Sequence, residues 1–329
     1  MRTIICRNVI LMAISSTGLI SCMKRELPVP LKPKGKETTA SVEMTEDYKL
    51  QIFYSLRNNT IVGTNKYTAW DLGFETAQEG WRIMLNGAKF KMAIYPVKKK
   101  FEEVKITDTT GIASLIDVAS GNPDSTAFGD WRNAGKTYII YKGTDETGKY
   151  LGMEKIQILS VDASKYVVRF SAIDGSNEKT LEIAKDEEYN YAFLSFDGGG
   201  KTLLIEPPKK EWDIAFTKYT HFYYDLDMRY SVVGCLLNSY NTSAGRDSVT
   251  KNFAEIDLQK AASVVLRDEV DAIGFEWKSY DLNTGKFSVD AGKHYIIRSG
   301  EEGIYYKLRF IDFYNNGIKG TPKFEYQRL

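Results

Sequence analysis

Histidine is scarce in this chain, and its scarcity limits the catalytic chemistry that the sequence can support. His221 and His294 are the only imidazoles among 329 residues. A serine hydrolase would have to recruit one of them without a Gly-x-Ser-x-Gly nucleophile motif. No His-x-x-x-His pair, Cys-x-x-Cys pair or Walker-type loop is present, and the glycines within 197–201 are spaced for a hairpin turn. A glycosidase needs two opposed carboxylates, and no such pair is singled out by the sequence. We therefore predict that the protein is not an enzyme.

Cys22 is the residue with the clearest predicted modification. It follows an apolar run over 9–20, which has the length of a signal-peptide core and is too short to span a bilayer. The ending Leu19-Ile20-Ser21-Cys22 resembles the bacterial lipobox, whose cysteine is acylated and begins the mature protein. The alternative is an ordinary signal peptide with an incidental cysteine. We predict a signal peptide over 1–21 and a lipid anchor, such as palmitate, on Cys22.

The composition of the rest of the chain indicates an all-β protein without a nucleic-acid partner. The 44 basic and 43 acidic residues nearly balance, so no polyanionic ligand is indicated. The 21 Tyr, 16 Phe and 5 Trp favour strands and provide flat contact surfaces. Proline and lysine alternate after Cys22, which predicts a flexible tether over 22–46.

Two Trp-Asp motifs begin segments that resemble each other. Trp70-Asp71 recurs as Trp212-Asp213, and a Gly-Lys motif at 135 recurs at 292. The second offset is longer, which predicts an insertion within 238–250. A carboxylate beside an aromatic ring is also found in sugar-binding sites, but the alternating pattern favours a core strand. Motifs in the same order at similar spacing predict two homologous domains, 47–185 and 186–329.

Both predicted domains have strand patterns. Apolar and other residues alternate along 212–216, with the period of two that is typical of a half-buried strand. Asp174-Gly175 and Asn316-Gly317 are residue pairs that tight hairpins require. Helical spacing is found mainly over 254–271. We predict an all-β fold of two tandem β domains with one short helix.

A family resemblance is carried by Trp212-Asp213-x-Ala215 and by the segments 234–242, 273–278, 306–313 and 317–326. On these residues the second half resembles the HmuY family, haem-binding surface lipoproteins of Bacteroidetes. The first half carries a diluted version, and residues 23–26 resemble the export tags of surface lipoproteins. The resemblance implies an all-β fold, haem clamped between two ligand-bearing loops, and an outer-membrane, cell-surface location.

The resemblance also implies candidate haem-binding residues, because haem iron accepts His, Met, Cys thiolate or Tyr oxygen. The loop after Trp277 departs from the family pattern, since it holds neither histidine nor methionine. His221 is predicted to share a strand face with two tyrosines, and an arginine beside Met228 is suited to a propionate. Each candidate also has a structural alternative, such as core packing for Met228. The candidates are His221, Met228, Tyr280, His294, Tyr219, Tyr223 and Arg229, with no metal expected beyond haem iron.

These observations predict a surface-anchored, non-catalytic protein that captures haem or another porphyrin. Aromatic strand faces would bury the macrocycle, and the protein would pass it to a TonB-dependent outer-membrane receptor. One alternative is a protein that has kept the HmuY fold, has lost haem ligation, and binds a glycan or a partner protein. Another is a scaffold component that presents open sheet edges for strand addition.

Overall fold

Strands dominate the computed structural model, which describes residues 34–90 and 92–329. This confirms the predicted all-β fold class. The described residues form twenty strands: β1 (Thr38–Ser41), β2 (Leu50–Ser55), β3 (Thr60–Lys66), β4 (Leu72–Glu75), β5 (Ile83–Leu85), β6 (Ala93–Val97), β7 (Thr137–Tyr141), β8 (Met153–Val161), β9 (Lys165–Ala172), β10 (Lys179–Ala184), β11 (Tyr191–Ser195), β12 (Lys201–Leu203), β13 (Ile214–Tyr223), β14 (Met228–Leu237), β15 (Ser243–Asp247), β16 (Lys278–Asp281), β17 (Lys286–Val289), β18 (His294–Ser299), β19 (Ile304–Asn315) and β20 (Ile318–Arg328). The α-helix α1 is Leu258–Ala262. Short 3₁₀ turns lie at Phe101–Glu103, Ile106–Thr109, Pro123–Ser125, Tyr224–Leu226 and Phe253–Glu255. None of the helices in this part of the chain could span a membrane.

The strands form four larger antiparallel sheets and one hairpin. Sheet 1 has the order β1-β20-β19-β18-β15, and sheet 2 has the order β14-β13-β2-β3. Sheet 3 has the order β10-β9-β8-β7-β6, and sheet 4 has the order β12-β11-β4-β5. The remaining hairpin is β16–β17.

Three hydrophobic clusters join the sheets in layers. The first fills the space between sheets 1 and 2, where the fully buried Trp277 stacks on Phe310 at 4.1 Å. The second joins sheets 3 and 4 through residues such as Phe74 and Tyr166. The third joins sheets 2 and 4 to each other, and both Trp70 and Trp212 belong to it. The sheets therefore pack in the order 1, 2, 4, 3, as two β-sandwiches back to back.

Two hairpins cross the domain boundary predicted from the sequence. The β2–β3 hairpin lies before residue 185 but pairs with β13, which lies after it. The β11–β12 hairpin lies after residue 185 but pairs with β4. The division into 47–185 and 186–329 therefore does not separate the sheets, because each half donates a hairpin to a sheet of the other.

The two Trp-Asp motifs hold these exchanged hairpins with matching hydrogen bonds. The buried Asp71 accepts from the backbone N–H of Phe196 at 2.8 Å, just after β11. Asp213 accepts from the backbone N–H of Leu56 at 2.6 Å, just after β2. Each carboxylate thus bonds to the backbone just after a strand that comes from the other half. This is a structural role, and it agrees with the core-strand interpretation.

Matched asparagines show where the second half is longer. The Asn86 amide donates to the carbonyls of Tyr67 and Trp70, and the Asn238 amide donates to those of Lys209 and Trp212. Sixteen residues separate the first Trp from its Asn, whereas twenty-six separate the second pair. Ten of the fifteen extra residues of the second half therefore lie in the β13–β14 hairpin, before the predicted insertion at 238–250.

The predicted tether contains ordered structure from Thr38 onward. β1 pairs antiparallel with β20, with Thr38 opposite Tyr326, and both Val42 and Met44 are buried in the first cluster. The prediction of a flexible tether over 22–46 is therefore wrong at its C-terminal end. The β-branched and apolar residues there complete sheet 1.

The helical pattern and the turn residues had different outcomes. Within the predicted helical region 254–271, only Leu258–Ala262 is α-helical. The chain then turns back so that Arg267 bridges Ala244 beside β15. The Asn316-Gly317 turn is confirmed, since both residues have positive φ, of 50° and 82°, between β19 and β20. The glycine-rich run 197–201 likewise forms the β11–β12 turn.

Candidate functional site

The β13–β14 hairpin extends well beyond the sheet that supports it. β13 and β14 are paired over ten residues each, but β13 contacts β2 only from Ile214 to Phe216. Beyond Thr217 the hairpin is a two-stranded ribbon. Tyr224 and Leu226 at its tip are 76% and 67% exposed. The ten extra residues of this hairpin thus build a projection with exposed apolar side chains.

One face of this ribbon carries an aromatic and histidine cluster, here called the ligand face. Side chains on a strand alternate between faces, so Tyr219, His221 and Tyr223 lie on the same side of β13. Tyr230 is the cross-strand partner of His221, and Met228 is that of Tyr223, so both extend the same face. The structure therefore brings four of the seven predicted residues together.

Phe275 closes the ligand face from the loop before β16. Its ring centroid lies 5.1 Å from that of His221 and 6.4 Å from those of Tyr219 and Tyr223. Phe275 is not among the residues predicted from the sequence, although it lies in one of the segments that carry the family resemblance. Its contact with the hairpin spans more than forty positions in sequence, so periodicity could not reveal it.

The His221 imidazole has an unused nitrogen. Its Nδ1 atom is buried and has no hydrogen-bond partner among the described residues. The ring packs edge-on against Tyr223 at 4.8 Å. Histidine nitrogen is a ligand that iron in haem accepts, and flat aromatic side chains suit a macrocycle. The ligand face therefore carries residue types that suit a porphyrin and its iron.

Arg229 lies on the opposite face of the hairpin. It pairs with Phe222 across the strands, and its guanidinium donates to the Ser114 hydroxyl at 3.1 Å. The structure thus directs this side chain toward the loop at 114 rather than toward the ligand face. A propionate on the ligand face would need another cation.

The other two predicted residues lie elsewhere in the fold. His294 on β18 is buried, with its Nδ1 atom 3.1 Å from the Thr250 carbonyl oxygen, and burial lowers its pKa. Tyr280 on β16 is half exposed and packs on Phe287 at 4.9 Å. Cys22 lies outside the described residues. Cys235 is fully buried, and burial raises the pKa of its thiol, in agreement with a small hydrophobic role.

A second feature, which the sequence analysis missed, is a cavity of about 200 Å³ between sheets 2 and 4. Two acidic residues that line it, Glu206 and Asp117, have raised pKa values. Burial raises the pKa of Glu206 to about 7 and that of Asp117 to about 6. The Glu206 carboxylate accepts from the backbone N–H groups of Asn190 and Tyr191 at 2.6 and 2.8 Å, which partly offset the burial. No group of three metal-ligating side chains occurs within 34–90 and 92–329.

The raised pKa of Glu206 predicts that the protein loses stability as the pH rises. A carboxyl group whose pKa is higher in the folded than in the unfolded protein stabilises the fold at a pH below the unfolded pKa. This stabilisation is lost as the pH rises from the unfolded pKa through the folded pKa. For Glu206 this pH window runs from about 4.5 to about 7. The free energy of unfolding falls by about 3 kcal/mol across it. Urea unfolding at pH 4.5 and pH 8 should therefore show a larger difference for the native chain than for Glu206→Gln.

The matched control is Glu182→Gln, which removes an exposed carboxyl on β10. It should leave the pH dependence unchanged. Equal pH dependence of the native chain and Glu206→Gln would contradict the argument. Asp117 is present in all three proteins, so its own contribution cancels in the comparison.

Comparison with known proteins gives a family match over most of the chain. The family model described as HmuY protein matches residues 47–326. The search among curated proteins found no match. Apo PinO from Porphyromonas gingivitis is 11% identical over 89% of this chain and 97% of its own, with a TM-score of 0.34. The apo HmuY analogue TFO of Tannerella forsythia is 10% identical over 91% and 98%, also with a TM-score of 0.34. A structure described as a putative HmuY-like heme binding protein from Bacteroides vulgatus is 11% identical over 88% and 90%, with a TM-score of 0.23.

Proposed function

Because the chain belongs to the HmuY family, we propose that it binds haem or a related porphyrin on the ligand face of the β13–β14 hairpin. The observation that carries the proposal is the imidazole of His221, which lies among aromatic rings with its Nδ1 atom unpartnered. When bound, haem supplies an iron centre that takes axial ligands and a flat apolar ring. The match of the HmuY family model to residues 47–326 supports this choice of ligand.

Each residue of the ligand face has a separate part in the proposal. His221 would provide a nitrogen for the iron, and the exposed thioether of Met228 provides a second type of ligand nearby. Tyr223, Tyr230 and Phe275 would cover the apolar ring. Protein and porphyrin would both lose exposed apolar surface on binding, which is the main source of affinity for such ligands.

The wider role is capture of haem at the cell surface and its transfer to an outer-membrane receptor of the TonB-dependent type. The lipobox-like sequence before Cys22 supports a lipid anchor, and the exposed hairpin tip with Tyr224 and Leu226 suits contact with a receptor. Labelling of cells with radioactive palmitate tests the anchor directly. A protein that incorporates no label would remove the anchored form of the proposal.

The ligand mutants give the test of haem binding. We expect His221→Ala in the anchor-free body, residues 23–329, to displace the Soret maximum and to weaken haem binding. The loss should be at least about 10–100-fold, the range found when a supporting group of a metal site is removed. His294→Ala is the control, because His294 is buried beside Phe253 away from the ligand face. Absorbance titrations under oxidising and reducing conditions measure both effects.

Two outcomes would contradict the proposal at different levels. If neither substitution displaces the Soret band, His221 is not the iron ligand, and Met228 or a tyrosine becomes the candidate. If the spectrum of haem with the unmodified body is only the sum of the spectra of free haem and free protein, haem is not bound. The fold would then serve a glycan or a partner protein. Near-ultraviolet circular dichroism should show that both variants are folded.

A further inference from the structure

The cavity between sheets 2 and 4 is lined in part by aromatic side chains from both halves of the chain. Its volume is about 200 Å³. The walls that matter here are Phe53, Trp70, Tyr191, Phe193 and Trp212. The Trp70 and Phe193 rings meet edge-on at 4.8 Å, and the Trp212 and Phe53 rings do so at 4.9 Å. Each aromatic pair joins a Trp-Asp motif to an exchanged hairpin, so both halves of the chain contribute a similar wall to the cavity.

The cavity walls include polar atoms that nothing in the described chain satisfies. The indole Nε1 atoms of Trp70 and Trp212 are buried and unpartnered, and both side chains are more than nine-tenths buried. The Thr217 hydroxyl and the Gln51 side-chain oxygen line the same cavity and are also buried without partners. A buried donor without an acceptor costs about 1–3 kcal/mol. Two indole donors, one hydroxyl and one amide oxygen around the same cavity are thus open to hydrogen bonds from water or from a polar ligand.

The other two buried indoles of the described chain, Trp131 and Trp277, show that this is a property of the cavity. Trp131 Nε1 donates to the Trp81 carbonyl oxygen at 2.8 Å. Trp277 Nε1 donates to the Gly274 carbonyl oxygen at 3.1 Å. Buried indole N–H groups elsewhere in this protein therefore have acceptors, whereas the two at the cavity do not.

Charge and size restrict what the cavity can hold. Glu75, Asp117 and Glu206 line it, together with Arg82 and Lys218. Arg82 is paired with Glu75 and Asp124, and the Lys218 ammonium lies 4.9 Å from the Tyr67 ring, so both cations are already engaged. A further anion beside three carboxyl groups would therefore be unfavourable. The volume of the cavity is below the roughly 300–1,000 Å³ of pockets for drug-sized ligands, and a porphyrin belongs to the larger class. The ligand is therefore uncharged, compact and mostly apolar, and it carries acceptor atoms for the indole donors.

We infer that this cavity binds an uncharged molecule of one or two fused rings, whose oxygen atoms accept hydrogen bonds from the indole N–H groups of Trp70 and Trp212. The site is separate from the ligand face, although Tyr219 borders both. The inference therefore does not depend on haem binding. His221→Ala, which weakens haem binding in the proposal above, leaves this second site intact.

Coumarin and naphthalene form a matched pair of probes for the inference. The two molecules have the same two-ring shape, but only coumarin carries oxygen acceptors. Titration into the ¹⁵N-labelled body, residues 23–329, should shift the indole resonances of Trp70 and Trp212 saturably with coumarin. The resonances of Trp131 and Trp277 should not move, because their N–H groups are already bonded. Naphthalene should bind at least about five-fold more weakly, as expected for a lost hydrogen bond.

Variants separate recognition from a general effect on packing. Trp70→Phe keeps the aromatic wall but removes one donor, so coumarin affinity should fall about five-fold. Trp131→Phe is the control and should bind coumarin like the native chain. Ala119→Leu adds volume at the half-buried rim of the cavity and should abolish binding without removing a core residue. Equal binding of coumarin and naphthalene, or no shift of either cavity indole, would overturn the inference.

Discussion

Replacement of Lys89 by alanine should lower the free energy of unfolding by about 3–5 kcal/mol, the usual cost of leaving a buried charge without its partner. The Lys89 ammonium lies 2.6 Å from an Asp71 carboxylate oxygen, and both side chains are almost completely buried. Asp71 also accepts from the Phe196 N–H, so it is held in place when the lysine is removed. Urea unfolding followed by tryptophan fluorescence measures the change.

A surface ion pair of similar length provides the control. Lys165 and Glu182 are 2.7 Å apart, with 37% and 64% of their side chains exposed. Lys165→Ala should therefore cost no more than about 1 kcal/mol, because water screens the pair. The double variant Lys89→Met, Asp71→Asn should recover much of the loss, since the asparagine oxygen can still accept from Phe196. A similar cost for Lys89→Ala and Lys165→Ala would contradict the argument.

Fragments cut at residue 185 should lose cooperative folding altogether. The fragment 47–185 lacks β11 and β12, which complete sheet 4, and its β2–β3 hairpin has no β13 to pair with. Asp71 would be left without the Phe196 N–H and would face water across an open sheet edge. Near-ultraviolet circular dichroism and urea titration of this fragment should show no cooperative transition.

A fragment of almost the same length that respects the sheets is the matched control. Residues 68–209 contain every strand from β4 to β12, and so include the whole of sheets 3 and 4 with the core between them. This fragment should unfold cooperatively, although with lower stability because Phe53 and Trp212 no longer cover its face. Cooperative unfolding of 47–185 would show that the exchanged hairpins are dispensable.

Local patterns predicted the strands and turns well because their causes are local. Asn316 and Gly317 both adopt the positive φ that a two-residue hairpin needs, and this preference depends only on the residues themselves. The period of two along 212–216 predicted a strand, and β13 begins at Ile214. The helical spacing over 254–271 overestimated the helix, since Val264 and Val265 are β-branched and the chain is drawn into a bridge at Arg267.

Pairing between distant strands could not be predicted in the same way. The repeated Trp-Asp motif indicated two related segments, but it did not indicate that Leu56 and Phe196 would each bond to the motif of the other half. For the candidate site, alternation placed Tyr219, His221 and Tyr223 on one face correctly. Phe275 and the cavity around Trp70 and Trp212 depend on tertiary contacts, and one sequence carries no local signal for them.

The pairing of β1 with β20 has a consequence for the order of folding. The first and last strands of the described chain are neighbours in sheet 1, so that sheet cannot close until the C-terminus is available. β2 must likewise wait for β13, whereas β4 to β12 can associate once residue 203 has been made. Contacts between distant positions form slowly. During synthesis the middle of the chain therefore forms its sandwich first, and the two ends fold onto each other last.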